Sequence, residues 1–173
     1  MQHGTRIIFD FSEQADKDAW RSINDVVMGG VSSSELRVTA EGVAIFEGIV
    51  SLERGGGFAS VRSPFAGMDL GNFEGIEVRV RGDGKDYRLR VRTNEGDEGV
   101  AYQASFQTER GIWRTEELPF EAFEARYHGR SVPDAQPLDA GKIVSFGFLI
   151  ADRQAGPFHL EIDWIRAYAE KGY

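Results

Sequence analysis

The chain has 173 residues, a formal net charge of −8 and no cysteine. Thiol redox chemistry, thiolate metal sites and disulfide frameworks are excluded, and the acidic balance argues against general attraction to nucleic acid or anionic lipid. A chain of this length buries roughly 70% of the surface its unfolded form exposes, so a single domain over residues 1–173 is expected to fold without metal or cofactor.

The first residues, MQHGTRIIFDFSE, carry no secretory signal. No stretch reaches the roughly 20 apolar residues of a membrane span, and a cytoplasmic location is expected. Ser12 to Trp20 has room for one helical turn. NDVVMGGVSSSE (Asn24–Glu35) reads as a corner: Val26, Val27 and Met28 pack, while Gly29 and Gly30 allow a sharp reversal. RGGGFASVRS has the glycines of a phosphate loop but no lysine, and it leads into a strand-like run. Alternation then dominates, the mark of half-buried strands. IEVRVRG sets Ile76, Val78 and Val80 against Glu77, Arg79 and Arg81; YRLRVRT sets Tyr87, Leu89 and Val91 against Arg88, Arg90 and Arg92. The glycines of RGDGKDY between them signal a hairpin. YQASF turns Tyr102 and Phe106 inward and Gln103 and Ser105 outward. Trp113 and Phe120 read as core anchors beside a short helical turn begun by Pro119. IVSFGFLIAD is apolar on both faces, as in a strand covered on both sides. FHLEIDWI places Phe158, Leu160, Ile162 and Trp164 on one face, and His159, Glu161 and Asp163 on the other. Many short strands with glycine turns predict an all-β jelly-roll sandwich, with strands from both ends of the chain close together.

Catalytic signatures are missing. GGVSSS is no nucleophile elbow. His3, His128 and His159 lack metal-ligand spacing, and no Asp-rich calcium loop is present. Glu161 and Asp163 share a strand face at a spacing open to a glycosidase pair, but partnership with nearby arginines explains them more simply. No catalytic residue, metal ligand or cofactor is expected. Arg79, Arg81, Arg88, Arg90 and Arg92 are expected to gather on one sheet face, where like charges repel. Either Glu77, Glu161 and Asp163 neutralise them, or the face receives an acidic or hydroxyl-rich ligand, with Gln103 and Ser105 beside it.

Four stretches in order, WRSINDVVMGGVSSSE, FEGIVSLERGGGFASVRS, GIWRTEELPFEAFEARYHGR and VSFGFLIADRQAGPFHLEIDWI, resemble the complex I intermediate-associated protein 30 family over nearly the whole chain. The resemblance implies a galactose-binding-like jelly roll, shared with many carbohydrate-binding modules, and a non-catalytic role resembling that of an assembly chaperone for respiratory complex I. The partner is then another protein, such as a respiratory-complex subunit or assembly factor. A carbohydrate-binding module taking an acidic glycan is the alternative. The candidate binding residues are Trp20, Asn24, Asp25 and Arg62 at the lip of a pocket, and Arg90, Arg92 and Gln103 on the sheet face. Trp20 is equally readable as a core residue.

Overall fold

A computed structural model describes residues 4–11, 20–23, 32–53, 57–93, 100–127 and 130–169. Thirteen strands are described: β1 (Thr5–Phe9), β2 (Arg21–Ser22), β3 (Ser33–Val38), β4 (Ala44–Val50), β5 (Ala59–Arg62), β6 (Gly75–Arg81), β7 (Asp86–Arg92), β8 (Ala101–Gln107), β9 (Trp113–Pro119), β10 (Glu124–Tyr127), β11 (Arg130–Ser131), β12 (Ser145–Ile150) and β13 (Gly156–Tyr168). One sheet runs β3-β4-β13-β6-β9, with β1 also paired to β13; the other runs β11-β10-β8-β7-β12-β5-β2. The two sheets form a jelly-roll β-sandwich. Strands from both ends of the chain meet, with Thr5 opposite Tyr168.

The alternating apolar residues face one shared core. Ile76, Val78 and Val80 enter it from the first sheet, and Leu89, Val91, Phe146 and Phe148 from the second. Phe9, Phe11, Trp20 and Phe148 form one end of an aromatic cluster, which continues through the Phe148–Phe106 contact to Tyr87, Phe158 and Phe46. Tyr87 is buried, yet its hydroxyl donates to Asp83 at 3.0 Å. Burial first, then the Asp83 charge, raises its pKa far above the ordinary phenol value. The short turn after Pro119 is a single 3-10 turn, Phe120–Ala122, which leads straight into β10.

Two expectations need correction. RGDGKDY is not a hairpin: β6 and β7 lie in different sheets, and residues 82–85 cross between them. The glycines serve that crossing instead. A Cβ on Gly82 would stand 2.3 Å from Thr108 Cβ, so only glycine lets the chain turn so closely there. Thr108 Oγ1 accepts from the Gly84 amide and donates to the Lys85 carbonyl, and Asp83 accepts from the Lys85 and His159 amides. Glycines and alternation look alike whether a chain returns in its own sheet or steps across to the facing one.

The second correction is Trp164. Ile162 pairs with Val80 but Trp164 pairs with Arg79, so Asp163 is an extra residue in β13. This β-bulge shifts the alternation by one. Ile165 takes the core position, fully buried, and Trp164 turns to the outer face, where the Arg166 guanidinium lies 4.0 Å from its ring centroid.

Candidate functional site

The five arginines expected on one face are divided between two. Arg79 and Arg81 belong to β6, on the outer face of the first sheet, and each is paired there. Arg81 donates to Glu161 through Nε and Nη2, the latter at 3.0 Å, and Arg79 Nε donates to Asp163 at 3.2 Å. Arg166 engages Glu77 at 3.0 Å. Trp113, read from sequence as a core anchor, lies on this same outer face; the guanidinium carbons of Arg79 and Arg81 are 5.1 and 4.9 Å from its ring centroid. Its polar neighbours and π face make it a cation platform.

These ion pairs occupy the carboxylates that a glycosidase reading would use. The hydrogen bond from Arg81 holds the Glu161 pKa below the usual 4.5, against the opposing effect of burial. A carboxylate depressed in the fold contributes stability above its unfolded pKa and loses it as pH falls through its folded value. Arg81→Met is therefore expected to remove part of the acid-dependent loss of stability below pH 4.5, and to leave a less stable protein at neutral pH. Urea titrations across pH 3–7 check this; parallel pH profiles for the two proteins would contradict it.

On the second sheet the arginines are arranged differently. The strand register puts Arg62, Gly147, Arg90 and Gln103 on neighbouring rungs of one row across β5, β12, β7 and β8. One step along, Ser145 lies opposite Arg92; on the other side, Arg88 lies between Leu149 and Ser105. Residues paired across strands point to the same face, so these side chains share the face turned away from the core. Among the described strands, that face carries no aromatic ring: the inward partners Tyr87, Tyr102, Phe106, Phe146 and Phe148 occupy the alternate positions.

The four cations are not equivalent. Arg88 donates to Gln103 Oε1 at 3.1 Å and is paired with Asp152. Arg62 and Arg92 have contacts of their own. Arg90 Nε is buried and has no hydrogen-bond partner. Burial first, then the Arg92, Arg62 and Arg88 charges, push the Arg90 pKa down to about 9, so it remains a cation at neutral pH. Ser145 Oγ is likewise buried without a partner. Both residues line a cavity of about 10 Å³, together with Arg62 and Gly147.

Arg62, Arg90, Arg92 and Gln103 thus come together. Trp20 does not join them. It packs on the core side against Phe9, Phe11 and Phe148, at centroid distances of 5.2, 6.1 and 6.2 Å. Asn24 and Asp25 lie outside the described residues. Ser145 and Gly147 were missed in the sequence. Their signal was there: in SFGF they occupy the positions alternate to Phe146 and Phe148, and so face away from the core. Among the described residues, no three His, Asp or Glu side chains are grouped to hold a metal ion, and no helix is long and apolar enough to cross a membrane.

Comparison with known proteins agrees with this architecture. The chain is 30% identical over 189 aligned positions to the mitochondrial complex I intermediate-associated protein 30 of Mus musculus, covering 97% of the chain and 57% of that protein. It is 26% identical to a probable mitochondrial counterpart in Caenorhabditis elegans, covering 94% of the chain and 54% of that protein. The chain therefore spans little more than half the length of these relatives. Their names overturn the cytoplasmic location expected from the N-terminal residues; location is written in targeting segments, not in the fold that the relatives share. The family 11 carbohydrate-binding module of a cellulosomal cellulase from Clostridium thermocellum superposes with a TM-score of 0.74 at 19% identity, over 100% of this chain and 99% of that one. That likeness concerns the fold alone. The profile of one family, described as complex I intermediate-associated protein 30, matches residues 9–162, and the chain belongs to that family.

Proposed function

We propose that this chain is a non-catalytic binding module that holds a protein partner during assembly of respiratory complex I, using the arginine-lined face of the second sheet. Family membership and the names of the relatives support the association with complex I intermediates. The observation that carries the choice of face is Arg90, a half-buried arginine whose Nε is buried without a hydrogen-bond partner and whose charged neighbours, among the described residues, are three further arginines. Buried charges are ordinarily paired, and in this chain even the partly exposed arginines of the first sheet's outer face have carboxylate partners. A glycan is the second reading, favoured by the likeness to carbohydrate-binding modules. Sugar sites use aromatic platforms, and the arginine-lined face offers none among its described strands, which leaves acidic glycans as the form to consider.

Affinity capture from detergent-solubilised respiratory membranes, read by mass spectrometry, tests the proposal. Complex I subunits or assembly intermediates are expected in the capture. Their absence, with binding to an acidic glycan on an array, would overturn the protein-partner reading in favour of the second.

A further inference from the structure

We infer that the cavity between Arg90 and Ser145, floored by Gly147, is a subsite for one carboxylate of the partner, supplied by an acidic side chain on its docking segment. The inference rests on the binding-module reading above and adds the chemistry of the group recognised.

Three features build the subsite. The first is a pair of polar groups left without partners. Arg90 Nε–H and Ser145 Oγ are both buried, both lack a hydrogen bond, and both line the same cavity; Ser145 is only 2% exposed. More than about 90% of buried polar groups find partners, so two orphans in one place mark a position where an acceptor belongs. The second is a gap made by the backbone. Gly147 lies between Arg62 and Arg90 in the row, and a Cβ there would stand 2.5 Å from the Val61 carbonyl oxygen. No other residue fits without moving β5 from β12, so the fold keeps any side chain out of the row between Arg62 and Arg90. The third is size. The cavity, about 10 Å³, takes about one water-sized atom. One oxygen of an oxyanion enters it, while a sugar ring does not.

Charge and shape select the occupant. Arg62, Arg88 and Arg92 surround Arg90 with positive potential, and Arg62 and Arg92, held by contacts of their own, act as walls. A guanidinium presents parallel donors in a planar fork that matches a carboxylate. The whole chain, at −8, repels free anions at long range, whereas at contact the local cations dominate, within a Debye length of about 8 Å. That combination makes a free carboxylate a weak but measurable ligand, and favours one delivered by a surface that docks through other contacts.

Blocked amino acids separate the possibilities. N-acetyl-glutamate N-methylamide is titrated into the 15N-labelled full chain at constant ionic strength, followed at the arginine Nε–H resonances, with Arg90 assigned by its loss in Arg90→Gln. A saturable shift of the Arg90 resonance is expected, with the blocked glutamine analogue giving none. In Arg90→Gln, thermal stabilisation by the glutamate probe should weaken about tenfold or more in apparent affinity, the effect of one charge-assisted hydrogen bond. Ser145→Ala, which keeps the charge, should weaken it by less. Inorganic phosphate is the parallel arm: a saturable response to phosphate with none to glutamate would overturn the carboxylate assignment. An equal response to the glutamine analogue, or no response at Arg90, would overturn the subsite itself. Loss of the subsite with complex I capture intact leaves the binding-module reading standing; a working subsite with no capture overturns that reading alone.

Discussion

Phe148→Ala is expected to lower the stability of the chain by about 3–5 kcal/mol. Phe148 is fully buried in β12, between β7 and β5. Its ring stacks on Trp20 at 6.2 Å and meets Phe106 edge-on at 6.3 Å. Removing it opens a void that the strand is poorly able to close, because β12 is hydrogen-bonded along both edges and Gly147 is pressed against Val61. A loss of this size is a large share of the roughly 5–15 kcal/mol of a typical domain. Urea unfolding should show a lower midpoint with an unchanged slope. A loss below about 1 kcal/mol would mean that the ring is not part of a close-packed core.

Arg90→Met should have the opposite sign. Methionine preserves much of the apolar stem and removes a half-buried cation on which, among the described residues, other arginines act and no carboxylate does. Replacing buried ionic groups by apolar ones of similar volume often stabilises by about 1–4 kcal/mol, and a gain in that range is expected for the ligand-free chain at pH 7. The pH dependence follows from linkage. The pKa of Arg90 is pushed down to about 9 in the fold, well below the ordinary guanidinium value. Between these values the unfolded chain binds more protons, so the penalty is full below pH 9 and is relieved as pH rises above it. The advantage of the methionine variant is thus complete at neutral pH. A clear loss of stability instead would mean that Arg90 is already compensated within the folded chain. A residue that lowers stability and is nevertheless built into the middle of a sheet is best understood through what it binds.

Much of the sandwich was legible because burial imposes a period of two on each strand. Ile76–Val80, Tyr87–Val91 and Tyr102–Phe106 each point inward as their alternation required. Alternation tells which face is buried but not which sheet a strand joins. Arg79 and Arg90 therefore looked like neighbours across a hairpin, while they lie on opposite outer faces of the sandwich. The bulge at Asp163 was hidden for a related reason: one extra residue reverses the phase without changing the composition, and it exchanges Trp164 for Ile165 in the core. Trp113 misled because a large aromatic is usually core, whereas here two arginines cover its ring.

The candidate site was legible only in part. Arg90, Arg92 and Gln103 come from the consecutive strands β7 and β8, but Arg62 lies far away in sequence and joins their row only because β12 pairs with both β5 and β7. A single sequence does not announce that pairing. Nor does it separate Arg88, which has Asp152 and Gln103, from Arg90, which has neither. Gly147 lines the cavity at a position where the close approach of β5 admits no side chain, and the pairing of β5 with β12 that causes this is not written in the sequence.

The most direct test of the account is complex I capture by the native chain and by Arg90→Glu, side by side, from the same solubilised respiratory membranes. The reversed charge sits among Arg62, Arg88 and Arg92, which neutralise it within the fold and close the row to an incoming carboxylate. The account predicts complex I subunits with the native chain and their loss with Arg90→Glu, with the variant at least as stably folded as the native chain. Equal capture by both proteins would show that the partner is held elsewhere and would contradict the arginine-lined face as its docking surface.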